Sequence, residues 1–200
     1  MEPKDRILEG ARELFFKYGT KTITMDDIAK HLGMSKKTLY QFYANKNDIV
    51  EMMIMTQLKQ NENECQQLAD EAANVIEEML AMMNNMGTFF SQVNPNLFYD
   101  LQKYHSASWS LFKKYKDEYI VKMVEESLTK GIKQGFVRSD IHIKTIARMR
   151  IKQIEMVFDP TIFPPDKFKI VDVQQMLMDH FLHGICTIKG HKLINKYKLL

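Results

Sequence analysis

The stretch ITMDDIAKHLGMSKKTLYQFYANK, residues 23–46, decides the fold of this chain. Its pattern predicts two short helices separated by a turn at Gly33, followed by the start of a third helix. Thr24 and Asp27 have the spacing of a capping box, in which each side chain bonds the backbone amide of the other residue. Ser35 has the position of a helix cap at the start of the second short helix. The stretch therefore carries its own start and stop signals.

Apolar residues in and before this stretch predict a small three-helix core. A preceding helix should begin near Pro3 and stop at Gly19. Its apolar stripe at helical period comprises Ile7, Leu8, Ala11, Leu14, Phe15 and Tyr18. The residues of the two short helices expected to face inward are Ile28, Ala29, Leu32, Leu39 and Phe42. Two short helices with a glycine turn, packed on an amphipathic helix, are typical of a helix-turn-helix.

The second short helix carries lysine and no acidic residue, which favours contact with nucleic acid. A carboxylate there would repel a phosphate backbone. The net charge of the whole chain is only +3, so any nucleic-acid surface must be local. We interpret this helix as a DNA recognition helix. The residues predicted to contact DNA are Thr24, Ser35, Lys36, Lys37, Thr38, Tyr40, Tyr43 and Lys46.

These residues fall into two groups by the kind of contact expected. The front of the recognition helix, residues 35–38, is placed for base edges, where lysine pairs with guanine and a threonine methyl meets thymine. Thr24, at a helix N-terminus, and Lys46, as a point charge, are placed for phosphate. The hydroxyls of Tyr40 and Tyr43 extend past rigid rings toward the same surface.

The stretch also resembles the N-terminal signature of the TetR family of bacterial repressors. The residues that agree in register are Thr24, Ile28, Ala29, Leu32, Gly33, Met34, Ser35, Thr38, Leu39, Tyr40, Phe42, Tyr43 and Lys46. The resemblance covers the first quarter of the chain and implies that Tyr43, and often Tyr40, contacts phosphate. Lys37 departs from the pattern, since many members have glycine there, and its charge changes which DNA groups are touched.

After residue 50 the helical period continues and no stretch predicts a strand. We therefore predict an all-α chain of about nine helices. An N-terminal helix-turn-helix domain should span residues 1–48, and a helical ligand-binding and dimerisation domain residues 49–200. The order of the later helices resembles the regulatory half of the same family.

Several details of this second half are also predicted. Asn94-Pro95 should open a short helix, a long helix should run from Trp109 to Ile132, and Asp159-Pro160 should end another. A last helix should cover residues 168–188, followed by a solvated tail that contains four lysines and no acid.

Two further sets of residues are candidates for assembly and control. One helix-turn-helix reads a short half-site, so we expect a homodimer that joins the last two long helices as a four-helix bundle. Interface candidates, each with buried core as the alternative, are Ile146, Met149, Ile154, Phe158, Met176, Phe181 and Ile185. A methionine-rich apolar cavity suits an apolar or aromatic effector, with ordinary core as the alternative. Its candidate residues are Met82, Met83, Met86, Phe90, Phe98, Tyr104, Trp109 and Phe112.

Other classes of function find little support in the sequence. Cys65 and Cys186 lie far apart without metal-ligand spacing, and His180 with His183 has no supporting ligand except Asp179, so we predict no metal and no cofactor. No catalytic motif and no span of membrane length occurs, which predicts a cytoplasmic protein that is not an enzyme. The leading hypothesis is a repressor released from its DNA operator by a small effector. The alternative is an architectural or partner-controlled DNA-binding protein without a pocket.

Overall fold

The computed structural model describes residues 2–94, 96–159, 161–164 and 166–198. Regular secondary structure in these ranges is helical, which confirms the all-α prediction, and the one extended contact is an isolated bridge between Val137 and Cys186. The helices are α1 Pro3–Tyr18, α2 Met25–His31, α3 Lys36–Phe42, α4 Lys46–Glu71, α5 Val75–Gln92, α6 Leu97–Tyr104, α7 Ser106–Tyr115, α8 Val121–Lys133, α9 Ile143–Met156, α10 Ile170–Ile185 and α11 Ile188–Lys198. None of them, within the described ranges, is long and apolar enough to cross a membrane.

The chain forms two compact units, and each contains two stretches of sequence. The first unit comprises Met1–Asn61 and Gln92–Lys114, so it holds α1–α3, the beginning of α4, α6 and α7. The second comprises Glu62–Ser91 and Tyr115–Leu200. The domain boundary between residues 48 and 49 stays a prediction.

The core of the first unit lies between α1, α2 and α3. Ile7, Ala11 and Phe15 are fully buried, as the apolar stripe predicts. Gly10 allows close packing of α1 on α2, because a Cβ there would lie 2.5 Å from Leu32 Cδ2. The turn that follows α2 depends on Gly33, whose φ of +63° is a left-handed conformation that glycine adopts without strain.

The end of α1 differs from the prediction. Tyr18 is 49% exposed, and Phe16, which lies outside the predicted stripe, is buried. The segment before α6 covers this end of the helix, since the backbone amide of Asn94 donates to the carbonyl of Phe16 at 2.6 Å. Val93, in this segment, and Leu97, at the start of α6, are both buried. Phe15 and Phe16 are both buried because the other short helices cover one side of α1 and the segment before α6 covers another.

The inward face of α3 also differs by one residue. Leu39 is fully buried as predicted, but Phe42 is 36% exposed and Tyr43 is buried in its place. The helix has only seven residues, and positions four apart lie on one face. Leu39 and Tyr43 have that spacing, so the prediction that Phe42 is core was wrong.

The core of the second unit brings together α5, α8, α9, α10 and α11. Its buried residues are Val75, Ile76, Met79, Leu128, Val137, Ala147, Met178, Phe181, Leu182, Ile185, Cys186 and Ile194. The predicted solvated tail is instead helix α11, with Ile194 fully buried. The last predicted helix is divided at Thr187, whose amide donates to the carbonyl of Phe136 at 2.9 Å. This contact turns the chain and returns it to the core.

Other helix boundaries shift by a few residues. The long helix predicted from Trp109 to Ile132 contains a five-residue π-helical segment, Lys116–Ile120, between α7 and α8. Helix α6 starts at Leu97, and the side chain of Asn94 accepts the amide of Asn96 at 2.9 Å. Pro95 and Pro160, to which two predicted helix boundaries were assigned, lie outside the described residues. These divisions give eleven α-helices in the described ranges, against about nine predicted.

Candidate functional site

The start of α2 carries the predicted capping box. The hydroxyl of Thr24 accepts the amide of Asp27 at 3.2 Å, and the carboxylate of Asp27 accepts the amide of Thr24 at 2.8 Å. The Thr24 hydroxyl also donates to that carboxylate at 2.6 Å. The bond from the Thr24 hydroxyl is the larger cause and the bond from the Thr24 amide the smaller one, and together they hold the pKa of Asp27 below its usual value. The polar atoms of Thr24 that were predicted to meet phosphate are therefore engaged in the cap.

The start of α3 is capped in a similar way. The hydroxyl of Ser35 accepts the amide of Thr38 at 3.1 Å, and the two hydroxyls lie 2.8 Å apart. The pair fixes the first turn of the helix, and a base edge would have to compete with this bond. Their predicted base contacts stay predictions.

The exposed face of α3 carries two lysines and a tyrosine. The ammonium of Lys36 lies 2.5 Å from the carboxylate of Asp26 on α2, and both side chains are more than half exposed. Lys37 is exposed and has no hydrogen bond or ion pair within the described residues. The ring of Tyr40 is 48% exposed. Lys37 and Tyr40 are thus the predicted contacts on this helix most available to DNA.

Two predicted phosphate contacts point inward instead. Tyr43 is only 4% exposed, and its hydroxyl is buried without a partner among the described residues. Burial, and after it the charge of Asp5, raises the pKa of Tyr43. The ammonium of Lys46 donates to the carbonyls of Thr20 and Ile23, at 2.8 and 2.9 Å. Lys46 therefore supports the helix-turn-helix from within by bonding the carbonyls of the loop after α1, and Tyr43 supports it by packing in the core.

Asp100, on α6, belongs to the same support although it is 79 residues from the loop that it binds. Its carboxylate is 5% exposed and accepts the amide of Lys21 at 2.9 Å. Burial lowers the pKa of Lys46, and the negative charge of Asp100 opposes that shift. Helix α6 therefore supplies an acid whose charge favours the half-buried ammonium of Lys46 beneath the helix-turn-helix.

His105 follows α6 and is also 5% exposed. Its Nδ1 lies 2.8 Å from the side-chain oxygen of Asn47, at the start of α4, so Nδ1 carries the hydrogen. Its Nε2 is buried without a partner in the described ranges. Burial lowers the pKa of His105, the positive charge of Lys46 lowers it further, and Asp100 opposes both. The folded chain thus holds this imidazole neutral.

The lowered pKa of His105 predicts a loss of stability in mild acid. The unfolded chain binds a proton at this histidine below about pH 6.5, whereas the folded chain resists it, so unfolding takes up a proton. The free energy of unfolding should fall as the pH drops from that value toward the folded pKa. Urea denaturation between pH 7.5 and 5 measures it. The fall in the free energy of unfolding should be shallower in His105→Gln than in wild type. Equal dependence on pH in the two proteins would show that His105 does not cause the loss of stability.

Comparison with known proteins identifies the family. A sequence model described as "Bacterial regulatory proteins, tetR family" matches residues 7–53. The HTH-type transcriptional regulator YvaF of Bacillus subtilis (strain 168) is 28% identical over 168 residues, which cover 82% of this chain and 86% of that protein. The chain belongs to the TetR family of bacterial transcriptional regulators. Its relatives are regulators and not enzymes.

Solved structures support the TetR fold along nearly the whole chain. A TetR-family transcriptional regulator from Agrobacterium tumefaciens has a TM-score of 0.74 at 15% identity, covering 92% of this chain and 97% of that one. A transcriptional regulator from Saccharomonospora viridis in complex with choline has the same TM-score at 18% identity, with the same two shares of coverage. At these identities the likeness establishes the fold.

The predicted effector residues of this TetR-family chain are divided between the two units. Met82, Met83, Met86 and Phe90 belong to the second unit, and Phe98, Tyr104, Trp109 and Phe112 belong to the first. In the first unit, the rings of Phe98 and Trp109 both pack on Phe112, at 5.4 and 5.5 Å between centroids. Tyr104 is 40% exposed. The aromatic residues of α6 and α7 thus pack on one another.

A cavity of about 450 Å³ lies in the second unit, and its lining is more polar than predicted. Met82 is the predicted effector residue that lines it. The buried carboxylate of Glu78 accepts bonds from Ser127 at 2.5 Å and Lys130 at 2.6 Å beside the cavity. The other lining residues are Cys65, Gln66, Ala69, Asp70, Tyr119, Lys122, Met123 and Glu126. Sequence periodicity marked the apolar stripe of α5 and did not reveal these polar residues.

The predicted interface residues differ in burial. Met149 is 45% exposed and Met176 is 73% exposed, as surface contacts require. Ile146, Ile154 and Phe158 are half-buried. Phe181 and Ile185 are buried in the core of their own chain, which corrects their assignment to the interface. They lie on the side of α10 that packs inward, whereas Met176 lies on another side.

The two histidines of α10 singled out by their spacing lie in different surroundings. His183 lies 3.0 Å from His191 of α11 between Nδ1 atoms, and its Nε2 lies 3.2 Å from Asp179. His180 is exposed. Within the described residues, no three histidine, cysteine or acidic side chains are grouped so that they could hold a metal ion.

Proposed function

We propose that this protein is a homodimeric repressor that leaves its operator when a small effector binds. The observation that carries the proposal is the exposed face of α3, a helix that contains no acidic residue and is capped at its first turn. Lys37 and Tyr40 on this face are available to DNA. A single such helix reads one short half-site, and two copies about 34–36 Å apart reach successive major grooves. Exposed Met149 and Met176 on α9 and α10 support self-association through those helices.

The contacts of the first unit support control of DNA binding through α6. Asn94 binds the carbonyl of Phe16 through its backbone and that of Lys17 through its side chain, at 2.6 and 3.2 Å. Asp100 binds the loop after α1, and His105 binds the start of α4. A displacement of α6 would therefore move the base of the helix-turn-helix. An effector that prefers one position of α6 would change the population of the DNA-binding form.

Lys37→Ala tests the DNA-reading face. The variant should bind its operator about 5- to 150-fold more weakly, because a base or phosphate contact of this kind contributes about 1–3 kcal/mol. The operator can be selected from random duplexes with the wild-type protein, and affinity measured by fluorescence anisotropy at several salt concentrations. Lys192→Ala, an exposed lysine on α11 with the same change in charge, is the control. Equal affinities for Lys37→Ala and wild type would remove Lys37 from the interface.

Two further measurements test the dimer and the effector. A footprint on the selected operator should show two protected half-sites, and protection of one alone would contradict the homodimer. A thermal-shift screen against apolar and aromatic compounds should find ligands that raise the melting temperature. The same ligands should weaken operator binding. If saturating ligands leave DNA affinity unchanged, the C-terminal helices serve assembly and not effector control.

A further inference from the structure

Arg150, near the middle of α9, is a charged side chain enclosed in the second unit. It is 5% exposed, and its guanidinium lies 5.3 Å from the centroid of the Phe181 ring on α10. Within the described residues it forms no hydrogen bond and no ion pair. Burial lowers the pKa of Arg150 to about 10, and no neighbouring acid opposes the shift. A buried cation without a counter-charge is costly, so this guanidinium lacks a partner that would offset its burial.

Two glutamines on the same helices have buried polar atoms without partners in the described residues. Gln174, on α10, is 2% exposed, and neither its amide nitrogen nor its amide oxygen is bonded. Gln153 lies one turn after Arg150 on α9, and its side-chain oxygen is likewise buried without a hydrogen-bond partner among the described residues. Gln174 precedes Phe181 by two helical turns, so both lie on one face of α10, and Phe181 is the residue beneath Arg150. Buried polar groups are normally satisfied, so the unbonded amide atoms of Gln153 and Gln174, on the same helix pair as the unpaired guanidinium of Arg150, are available to a polar ligand.

The surroundings of this cluster are apolar. Phe181 and Met178 of α10 belong to the buried core with Ala147, which lies one turn before Arg150 on α9. A ligand at the cluster would therefore combine a polar head for Arg150 with an apolar body.

We propose that Arg150, with Gln153 and Gln174, binds the carboxylate of a small organic acid whose apolar body contacts the surrounding aromatic and methionine side chains. The guanidinium presents a planar fork of donors that matches the two oxygens of a carboxylate. One carboxylate also supplies the single negative charge that Arg150 lacks, and a glutamine amide can donate to it.

This inference rests on the proposed function and names the chemical class of its effector. It is tested by calorimetry and thermal shift on the full chain without DNA. The probes are a series of straight-chain acids from hexanoate to decanoate and a series of phenyl-substituted acids, each beside its primary amide. The acids should bind and raise the melting temperature, whereas the amides, which have the same shape without the charge, should not. If no acid of either series binds, the proposal is overturned.

Arg150→Met should lower the affinity for the acids by at least about tenfold, because a charge-assisted bond is lost. Arg148→Met, an exposed arginine on the same helix with the same change in charge, should bind as wild type. Equal binding by Arg150→Met and wild type would overturn the proposal.

Stability without ligand separates a binding role from a structural one. Methionine fills a similar space and removes an unpaired buried charge, so ligand-free Arg150→Met should melt at or above the wild-type temperature. Arg150→Lys keeps the charge without the fork and should bind the acids with intermediate affinity. If Arg150→Met melts far below wild type in the absence of acids, the guanidinium is structural and the proposal fails.

The outcomes also separate this site from the proposed function. Acids that bind through Arg150 without changing operator affinity would support the site and contradict effector release. A neutral compound that releases DNA equally from wild type and Arg150→Met would support effector release and contradict the carboxylate site.

Discussion

Replacing Asp100 with alanine should lower the free energy of unfolding of the first unit by about 3 kcal/mol. The carboxylate accepts the amide of Lys21 at 2.9 Å, and its removal leaves that amide without a partner. It also removes the negative charge that partly compensates the desolvation of the half-buried ammonium of Lys46. Urea denaturation followed by fluorescence measures the loss in this unit specifically. Trp109, the single tryptophan of the chain, lies within it.

Two variants show whether charge or hydrogen bonding is responsible. Asp100→Asn keeps an oxygen that can accept the Lys21 amide but loses the charge, so its stability should lie between those of wild type and Asp100→Ala. Asp166→Ala, at an exposed position of the second unit, should change stability by less than about 0.5 kcal/mol. A stability of Asp100→Ala within that same range would show that α6 does not support the helix-turn-helix through this residue.

Leu39→Ala should cost about 2–5 kcal/mol of stability in the first unit, because a fully buried leucine leaves a cavity when truncated. Leu39 anchors α3 on the core, so the helix that carries Lys37 loses its fixed position. Operator affinity should fall together with stability. Fluorescence of Trp109 during denaturation and an operator titration at low temperature measure the two effects separately.

Phe42→Ala is the matched control for Leu39. It lies on the same short helix but is 36% exposed, so its truncation should cost about 1 kcal/mol or less. Equal losses for the two variants would mean that α3 packs on the core through Phe42 as well as Leu39, as the sequence pattern predicts.

The sequence predicted the local features of the helix-turn-helix well. The capping box at Thr24, the cap at Ser35 and the glycine turn depend on residues within one or two turns, and each has a known spacing. The face of α3 was less predictable. Tyr43 is buried although its hydroxyl is polar, and a residue at the end of a seven-residue helix has too few neighbours for periodicity to place it.

Contacts between distant parts of the chain were not predictable in the same way. The sequence predicts Lys46 as a phosphate contact because it is a point charge at a helix start, whereas its partners in the structure are backbone carbonyls that no side-chain pattern encodes. Asp100 and Arg150 give a weak signal, since each is a charged residue near or within an apolar stripe. A charge on the buried face of a predicted helix is a reason to expect a partner far away in the sequence.

Helix α11 shows a further limit of composition. Its lysines suggested a solvated end, yet Ile194 is fully buried and Tyr197 accepts a hydrogen bond from Asn74 at 2.8 Å. The lysine stems and the single apolar face are compatible with a short amphipathic helix. Average charge over the segment hid that face.

The support that residues 94–105 give to the helix-turn-helix has a consequence for engineered chimeras. Consider a chimera that keeps residues 1–48 and takes the rest from another regulator. It would lose the Asn94 amide that binds the Phe16 carbonyl and the Asp100 carboxylate that accepts the Lys21 amide. The ammonium of Lys46 would lose the charge of the same carboxylate. Residues 1–48 would then carry unpaired polar groups on the surface that residues 94–105 cover in the native chain. An exchange that preserves DNA reading should therefore transplant α6 and its flanking residues together with the N-terminal helices, as one discontinuous cassette.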